Sequence, residues 1–367
     1  MKAAISHGVG EPLKLADLSF GDGGPKGVKV KLAAVAICHS DIAFLDGEWP
    51  TPWPAVFGHE AAGIVEAVGD AVSRVQVGDR VCVTLARACH NCGDCADGRP
   101  IDCTSSTELD HRPILFDESG TPVLQGIRTG AFAEYALVDE SQVVSIPKTV
   151  PWSSAAVISC AVLTGYGAVA RTAPVKARQS VAIIGAGGVG MNCIQAAKIA
   201  GASEIMAIDM SDDRLRLATE FGATSHVNPK TGGVKDHIEN TTNGRGLDHV
   251  FVCVGSSKAI ESAVDLLAPG GAVTLVGMPE VGASITIDPL TLASANKSLI
   301  GSKFGGAVVS EDIPRLTELY LDKSLKLDEL VTREFTFEAI NDALNATRRG
   351  EGLRNVVRFD WSAEAPL

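Results

Sequence analysis

The stretch SVAIIGAGGVGMNCIQAAKIAG, residues 180–201, constrains the fold more than any other part of the chain. Its apolar run Ser180–Ile184 reads as a buried strand, the glycines at 185, 187 and 190 as a tight turn, and the Ala-rich remainder to Ala200 as a helix. The same alternation continues downstream. SEIMAID, ending at Asp209, reads as a second strand, and SDDRLRLATEFGA as a helix with Ser211 as its N-cap. DHVFVCVG and GGAVTLVG read as further buried strands. Strands alternating with helices imply right-handed parallel crossovers, so residues 162–303 are expected to form a doubly wound α/β sheet.

The turn itself carries chemistry. Gly185, Gly187 and Gly190 form G-x-G-x-x-G directly after a strand and directly before a helix. Glycine there permits the tight turn, close approach of a pyrophosphate to backbone N–H groups at Gly188, Val189 and Gly190, and close strand–helix packing. About twenty positions on, Asp209 ends the next strand, where a carboxylate accepts hydrogen bonds from a ribose 2′-hydroxyl. The pair points to NAD(H) as a ligand. A glycine-rich turn that binds nothing is the plainer reading, and Asp209 argues against it.

Residues 1–161 look different: short strand-like pieces such as GVKVKLAAVAI, AAGIVEAVG, DRVCVTL and AFAEYALV, broken by Gly, Pro and Asp. This predicts a mostly β domain. Two helical patterns, DIPRLTELYLDKS and FEAINDALNATRRG, and an apolar NVVRF follow the sheet region. A hydrophobic content of 46% with only 5% aromatic residues and 38 glycines suits buried parallel strands with tight turns better than an aromatic-rich sandwich. A formal charge of −12 without a basic block argues against nucleic acid or an anionic membrane surface as partner. The opening MKAAISHGVGEPLKL is interrupted before an apolar signal core could form, and the chain contains no uninterrupted apolar run of about 18 residues. The expectation is a cytoplasmic protein without a membrane span. In that reducing setting nine cysteines, an odd number, are poor material for a disulfide framework.

Four of those cysteines crowd into CHNCGDCADGRPIDC: Cys89, Cys92, Cys95 and Cys103, spaced C-x2-C-x2-C-x7-C. Four thiolates complete a tetrahedral zinc site, and such a closed site is structural. The iron–sulfur pattern C-x2-C-x2-C-x3-C-P is the near rival, but here the last gap is seven residues and Thr104 follows Cys103. A redox dithiol is the third reading. Elsewhere, CHSD places Cys38 just after a strand, GHE supplies His59 and Glu60, and SCAVLTGYGA places Cys160 at the entry to the sheet region. Taken singly, the two cysteines read as small buried hydrophobes and His59 as a satisfied loop histidine.

Together, CHSD, GHEAAGIV, the four-cysteine lobe, SCAVLTGYGAV and GAGGVG stand in the order found in the zinc-dependent medium-chain alcohol dehydrogenases, which the chain resembles along nearly its whole length. The resemblance implies a Rossmann dinucleotide domain at 162–303 and a mostly β, GroES-like catalytic domain built from 1–161 and 304–367. It implies two zinc ions per chain, NAD, a small alcohol or aldehyde as substrate, and a homodimer. The catalytic zinc would be held by Cys38, His59 and Cys160 with Glu60 close by, leaving a position from which the metal acts as a Lewis acid on an alcohol oxygen. Asp41 would hydrogen-bond the zinc-binding histidine, and Ser40 would receive the alcohol proton. Thr164 would lie near the nicotinamide, Arg214 near the adenosine ribose, and His39 and Arg354 near the pyrophosphate. Trp49, Leu85, Met278 and Lys303 would line the substrate pocket. Two departures stand out: Ala43 occupies the place of a frequent relay histidine, and Thr107 stands where members acting on the glutathione adduct of formaldehyde have arginine, with Arg112 as a substitute. The expected activity is NAD-dependent oxidation of a medium-chain or aromatic primary alcohol. A thiol-adduct formaldehyde dehydrogenase and a non-catalytic zinc-containing Rossmann protein are the alternatives.

Overall fold

The computed structural model describes residues 1–360. The chain divides into two compact units, one of Met1–Ala161 together with the chain from Val308 on, the other of Val162–Ala307.

The second unit is built on six parallel strands: β1 (Ser180–Ile184), β2 (Glu204–Ile208), β3 (Ser225–Val227), β4 (Leu247–Val252), β5 (Leu267–Leu275) and β6 (Ser298–Gly301). Their order across the sheet is β3-β2-β1-β4-β5-β6, the strand order of a dinucleotide-binding sheet, whose ligand crevice lies at the β1/β4 switch point. β1 is buried along its length because helices cover both faces of such a sheet. Helix Gly188–Ile199 follows β1 directly, and helix Asp212–Phe221 follows β2 with the Ser211 hydroxyl accepting from the Arg214 N–H. Strands β3 and β6 and helices Val234–Thr242 and Ser257–Asp265 complete the alternation. They escape a periodicity reading because β3 is three residues long and Val234–Thr242 buries only Ile238.

The unit ends four residues later than the sequence places it, at Ala307 rather than 303. The turn Lys303–Gly306 packs so tightly that a Cβ at Gly305 would stand 2.6 Å from the Thr164 carbonyl oxygen, and one at Gly167 would stand 2.5 Å from that of Gly305. Close backbone packing holds this turn to helix Leu163–Gly167 of the same unit.

In the first unit the ten-residue strand Gly27–Ala36 is the organising element. One edge pairs with Glu60–Val68; the other pairs with Tyr135–Asp139 along its first half and with Arg354–Arg358 along its second. A segment from the far end of the chain thus completes the sheet of the first. Register shifts against Glu60–Val68 fall between Lys29 and Val30 and between Leu32 and Ala34; such bulges bend a strand and add local twist. Its core gathers Val28, Val30, Leu32, Val35, Ala61, Val81, Phe57 and Phe132 with Ile340, Leu344 and Val357 from the last segment.

Among the described residues one helical run, Trp152–Thr172, is long and apolar enough by composition to cross a membrane. Of its 18-residue window 83% is buried inside the protein; Ser153, Ser159, Thr164 and Arg171 interrupt it in sequence.

Candidate active site and metal centres

Two groups of donor side chains converge, each within the first unit. Cys38, His59, Glu60 and Cys160 bring one ligand atom apiece to within 4.8 Å of one another, and all four are buried. Asp41 explains how two of the segments meet. Cys38 caps helix His39–Leu45, and Asp41 Oδ2 accepts from the Cys38 N–H at 3.0 Å. Asp41 Oδ1 accepts from the Gly58 N–H at 3.0 Å and faces His59 Nδ1 at 3.2 Å. One fully buried carboxylate therefore ties the strand end at Cys38 to the turn before His59. That turn requires glycine: Gly58 has φ +88, and a Cβ there would stand 2.5 Å from the Phe132 ring. Cys160 arrives on a wider, π-helical turn, Ile158–Val162, anchored where the Ser159 hydroxyl donates to the Ala61 carbonyl at 2.8 Å. Single π turns inside α-helices recur at functional sites.

A carboxylate can only accept, so His59 carries a proton on Nδ1, and Nε2 is the ring atom left to bind a metal. Nε2 and Glu60 Oε1 have no hydrogen-bond partner although both are buried, and buried polar atoms without partners are costly. The thiols are equally strained electrostatically. The Cys160 thiol donates to Cys38, which holds the Cys38 thiol well below its ordinary value despite burial and pushes Cys160 well above. Burial alone would lower His59, but Asp41 and Cys38 together hold it well above its usual range. Burial pushes Glu60 up to about 8, against the pull of Arg354. Two sulfurs, an imidazole nitrogen and a carboxylate, all buried and close together, form the donor set of a divalent cation with zinc's preferences. The residues fit the metal. Replacing Asp41 with asparagine should loosen both segments and misdirect the imidazole, lowering metal affinity or kcat/KM about 10–100-fold; metal titration with a chromogenic chelator checks this, and unchanged affinity and activity would refute it.

Cys89, Cys92, Cys95 and Cys103 form the second group, again within 4.8 Å. The Cys92 and Cys103 sulfurs are 3.9 Å apart and all nine cysteines are free; a disulfide would need about 2.05 Å. Backbone N–H groups of Asn91 and Cys92 donate to Cys89 Sγ at 3.4 and 3.3 Å, and that of Cys89 donates to Cys103 Sγ at 3.3 Å. The Asn91 N–H leads in bringing the Cys89 thiol down to about 6, whereas burial pushes Cys95 up to about 12. Amide donors aimed at sulfur favour thiolates, the form that binds metal. Arg87 anchors the stretch leading in, its buried guanidinium donating to Gln142, Asp110 and the Arg128 carbonyl.

The dinucleotide turn lies in the second unit. Gly185 has φ +96, and a Cβ at Gly190 would stand 1.9 Å from the Gly185 carbonyl oxygen, so neither position accepts a side chain. At Gly187 a Cβ would meet no protein atom within 4 Å. That opening at the N-terminus of a twelve-residue helix fits a phosphate group. Asp209 accepts from the Ala186 N–H at 2.8 Å and the Ser211 N–H at 2.9 Å, and Arg214 Nη1 lies 4.0 Å from it. Thr164 is buried on helix Leu163–Gly167, which packs on the glycine-turn helix: a Cβ at Gly165 would stand 2.4 Å from the Val189 carbonyl oxygen.

Known proteins match this arrangement. Residues 24–148 match the alcohol dehydrogenase GroES-like domain and residues 188–322 the zinc-binding dehydrogenase domain. Alcohol dehydrogenase-like 7 of Arabidopsis thaliana is 34% identical over 369 residues, 97% of this chain and 94% of that protein. The chain belongs to the zinc-dependent medium-chain alcohol dehydrogenase family. Among solved structures of the alcohol dehydrogenase type, benzyl alcohol dehydrogenase from Acinetobacter calcoaceticus superposes with TM-score 0.91 at 32% identity, covering 98% of this chain and 99% of that one. A protein described as a zinc-binding dehydrogenase of Sinorhizobium meliloti 1021, bound to NADP, superposes with TM-score 0.81 at 26% identity, covering 97% and 98%.

The surroundings of the other residues that the family resemblance implies are as follows. Arg354, expected at a pyrophosphate, is buried at 4% exposure and its guanidinium pairs with Glu60; a fully buried carboxylate requires a counter-charge. Nothing in the sequence signalled this pair, whose members lie on separate strands. His39 is exposed at the helix start and Ser40 half-buried beside it. Ala43, in the place of the relay histidine, is 6% exposed and carries no group that can take a proton. Arg112, the substitute for the absent arginine, is engaged by Asp22 at 3.0 Å and Glu108 at 3.2 Å. Trp49 and Leu85 are half-buried in the first unit; Met278 is 65% exposed and Lys303 exposed in the second.

Proposed function

We propose that the chain is an NAD-dependent dehydrogenase that interconverts an alcohol, a medium-chain or aromatic primary alcohol above all, and its carbonyl product, the aldehyde in the primary case, with one catalytic and one structural zinc. The convergence of one buried ligand atom each from Cys38, His59, Glu60 and Cys160 to within 4.8 Å of one another carries this reading. When bound there, the metal supplies a Lewis acid that polarises an alcohol oxygen. Cys38, His59 and Cys160 hold it, and Glu60, paired with Arg354, is the fourth donor within reach. Ser40 Oγ, two residues past Cys38, takes up the alcohol proton. With apolar Ala43 one turn along the helix, that proton passes to water.

Aromatic side chains next to the donors in sequence point to the substrate class. Phe44 and Trp49 meet edge-on at 5.2 Å between ring centroids, Phe44 stacks on Phe57 at 5.5 Å, and Trp53 meets Phe57 at 5.7 Å. Phe44 lies on the helix capped by Cys38, and Phe57 lies two residues before His59. Phe57 belongs to the core and backs the half-buried Phe44 and Trp53, which with Trp49 offer apolar surface that favours longer and aromatic alcohols by about 0.8 kcal/mol per buried methylene. The benzyl alcohol dehydrogenase neighbour supports the same class. A thiol-adduct formaldehyde dehydrogenase is disfavoured by the commitment of Arg112 to Asp22 and Glu108, and a non-catalytic protein by the complete donor set.

Cofactor choice rests on Asp209. A 2′-phosphate would set like charges a few ångströms apart, about 4 kcal/mol at an effective dielectric of 20, reduced by nearby Arg214. The expected result is a preference for NAD over NADP of about 10²-fold in kcat/KM, narrowed in Asp209→Ala. A panel of alcohols, run with each cofactor and with and without formaldehyde plus thiol, tests all of this. Equal kcat/KM for both cofactors would overturn the NAD assignment, and turnover only of the thiol adduct would overturn the substrate class.

A further inference from the structure

Six of the nine cysteines belong to the two donor clusters, and a seventh, Cys82, is sealed in the core, its thiol pushed up to about 12 by burial. The remaining two are neighbours in the second unit. Cys193 lies in the second turn of helix Gly188–Ile199 and is fully buried; Cys253 directly follows β4 and keeps partial exposure. Their sulfurs are 3.6 Å apart, in contact but unbonded. The backbone at Cys253 is held in place. The Cys253 N–H donates to the Ile184 carbonyl at 2.8 Å, and a Cβ at Gly185 would stand 3.5 Å from the Cys253 carbonyl carbon. The pair therefore links the helix that follows the glycine turn to the end of β4, the strand beside β1.

We propose that Cys193 and Cys253 form a dithiol that reacts with hydroperoxides and closes reversibly to a disulfide. Cys253, the accessible sulfur, attacks a peroxide oxygen. The O–O bond breaks, the other oxygen leaves as alcohol or water, and Cys253 becomes a sulfenic acid. Cys193 Sγ then attacks that sulfur; the S–O bond breaks, the thiol proton leaves with the hydroxide as water, and the S–S bond forms. Two thiols and one hydroperoxide yield one disulfide, one alcohol or water and one further water, the sulfurs oxidised and the peroxide reduced. The sulfurs have to close from 3.6 Å to about 2.05 Å. A thiol already in contact captures the sulfenic acid before further, irreversible oxidation, so the damage stays repairable by thiol exchange.

The zinc-loaded enzyme is treated with a small excess of hydrogen peroxide, alkylated, digested and mapped by mass spectrometry. The expected product is a cross-linked pair of peptides containing Cys193 and Cys253, lighter by two hydrogens and restored by dithiothreitol. In Cys193→Ala, Cys253 should instead gain two or three oxygens that dithiothreitol does not remove. In Cys253→Ser, Cys193 should stay reduced. Should the alanine variant fail to fold, the parental cross-link alone decides. Full alkylation of Cys253 in the parent while the other cysteines oxidise would overturn the proposal, as would irreversible oxidation of Cys253 in the parent.

Discussion

Cys38→Ala is expected to lower kcat/KM by about 10⁴-fold or more while leaving the fold standing, a loss of at least about 5.4 kcal/mol of transition-state stabilisation. The size follows from what the thiolate does. Cys38 is one of two sulfurs in the buried donor group, and without it an open-sided site with three protein ligands falls to two and a nearby carboxylate. The structural cost is small. Cys38 caps a helix of only seven residues, and Asp41 still accepts from the backbone N–H at that position and from Gly58. A truncation of one sulfur costs about 1 kcal/mol. Elemental analysis should show one zinc per chain instead of two, with an almost unchanged Tm. Parental activity in the variant would place the chemistry elsewhere.

Cys92→Ala has the opposite signature. Between Cys89 and Cys103 only Ile101 and Cys103 are buried, and the regular structure amounts to the short turns Gly93–Ala96 and Pro100–Asp102. So little apolar surface cannot order fifteen residues against their conformational entropy. On the proposed reading a metal held by the four sulfurs does so, because binding energy at a closed site is folding energy. The expected cost is about 5 kcal/mol, read as a fall in Tm of about 10 °C or more and as new proteolytic cleavage between residues 89 and 103. The surviving folded fraction should keep its kcat. An unchanged Tm with two zinc ions still bound would remove the lobe's structural role.

The lobe was legible in the sequence because its chemistry is local. Four cysteines within fifteen positions cannot avoid one another, and their spacing already separates a closed metal site from a disulfide framework. The dinucleotide turn was legible for a related reason: Gly185 needs a positive φ and Gly190 a bare Cα against the Gly185 carbonyl, and only glycine meets those demands. Asp209 follows at the distance one strand–helix–strand unit imposes. The buried donor group was legible only through family resemblance, since Cys38, His59 and Cys160 lie far apart in sequence and each has an ordinary reading alone.

Tertiary structure decided the rest. That Asp41 holds three groups at once, the Cys38 and Gly58 amides and His59 Nδ1, depends on a strand end and a turn meeting across the sheet. Arg354 reaches Glu60 because a strand from the end of the chain pairs with Gly27–Ala36, whose other edge carries Glu60. Cys193 touches Cys253 because the helix after β1 crosses beside the end of β4. Local constraints on φ, on turn geometry and on ligand spacing are written in neighbouring residues and can be read there. Which distant charges are forced to pair, and which thiols come into contact, follows from burial, and burial is a property of the packed chain.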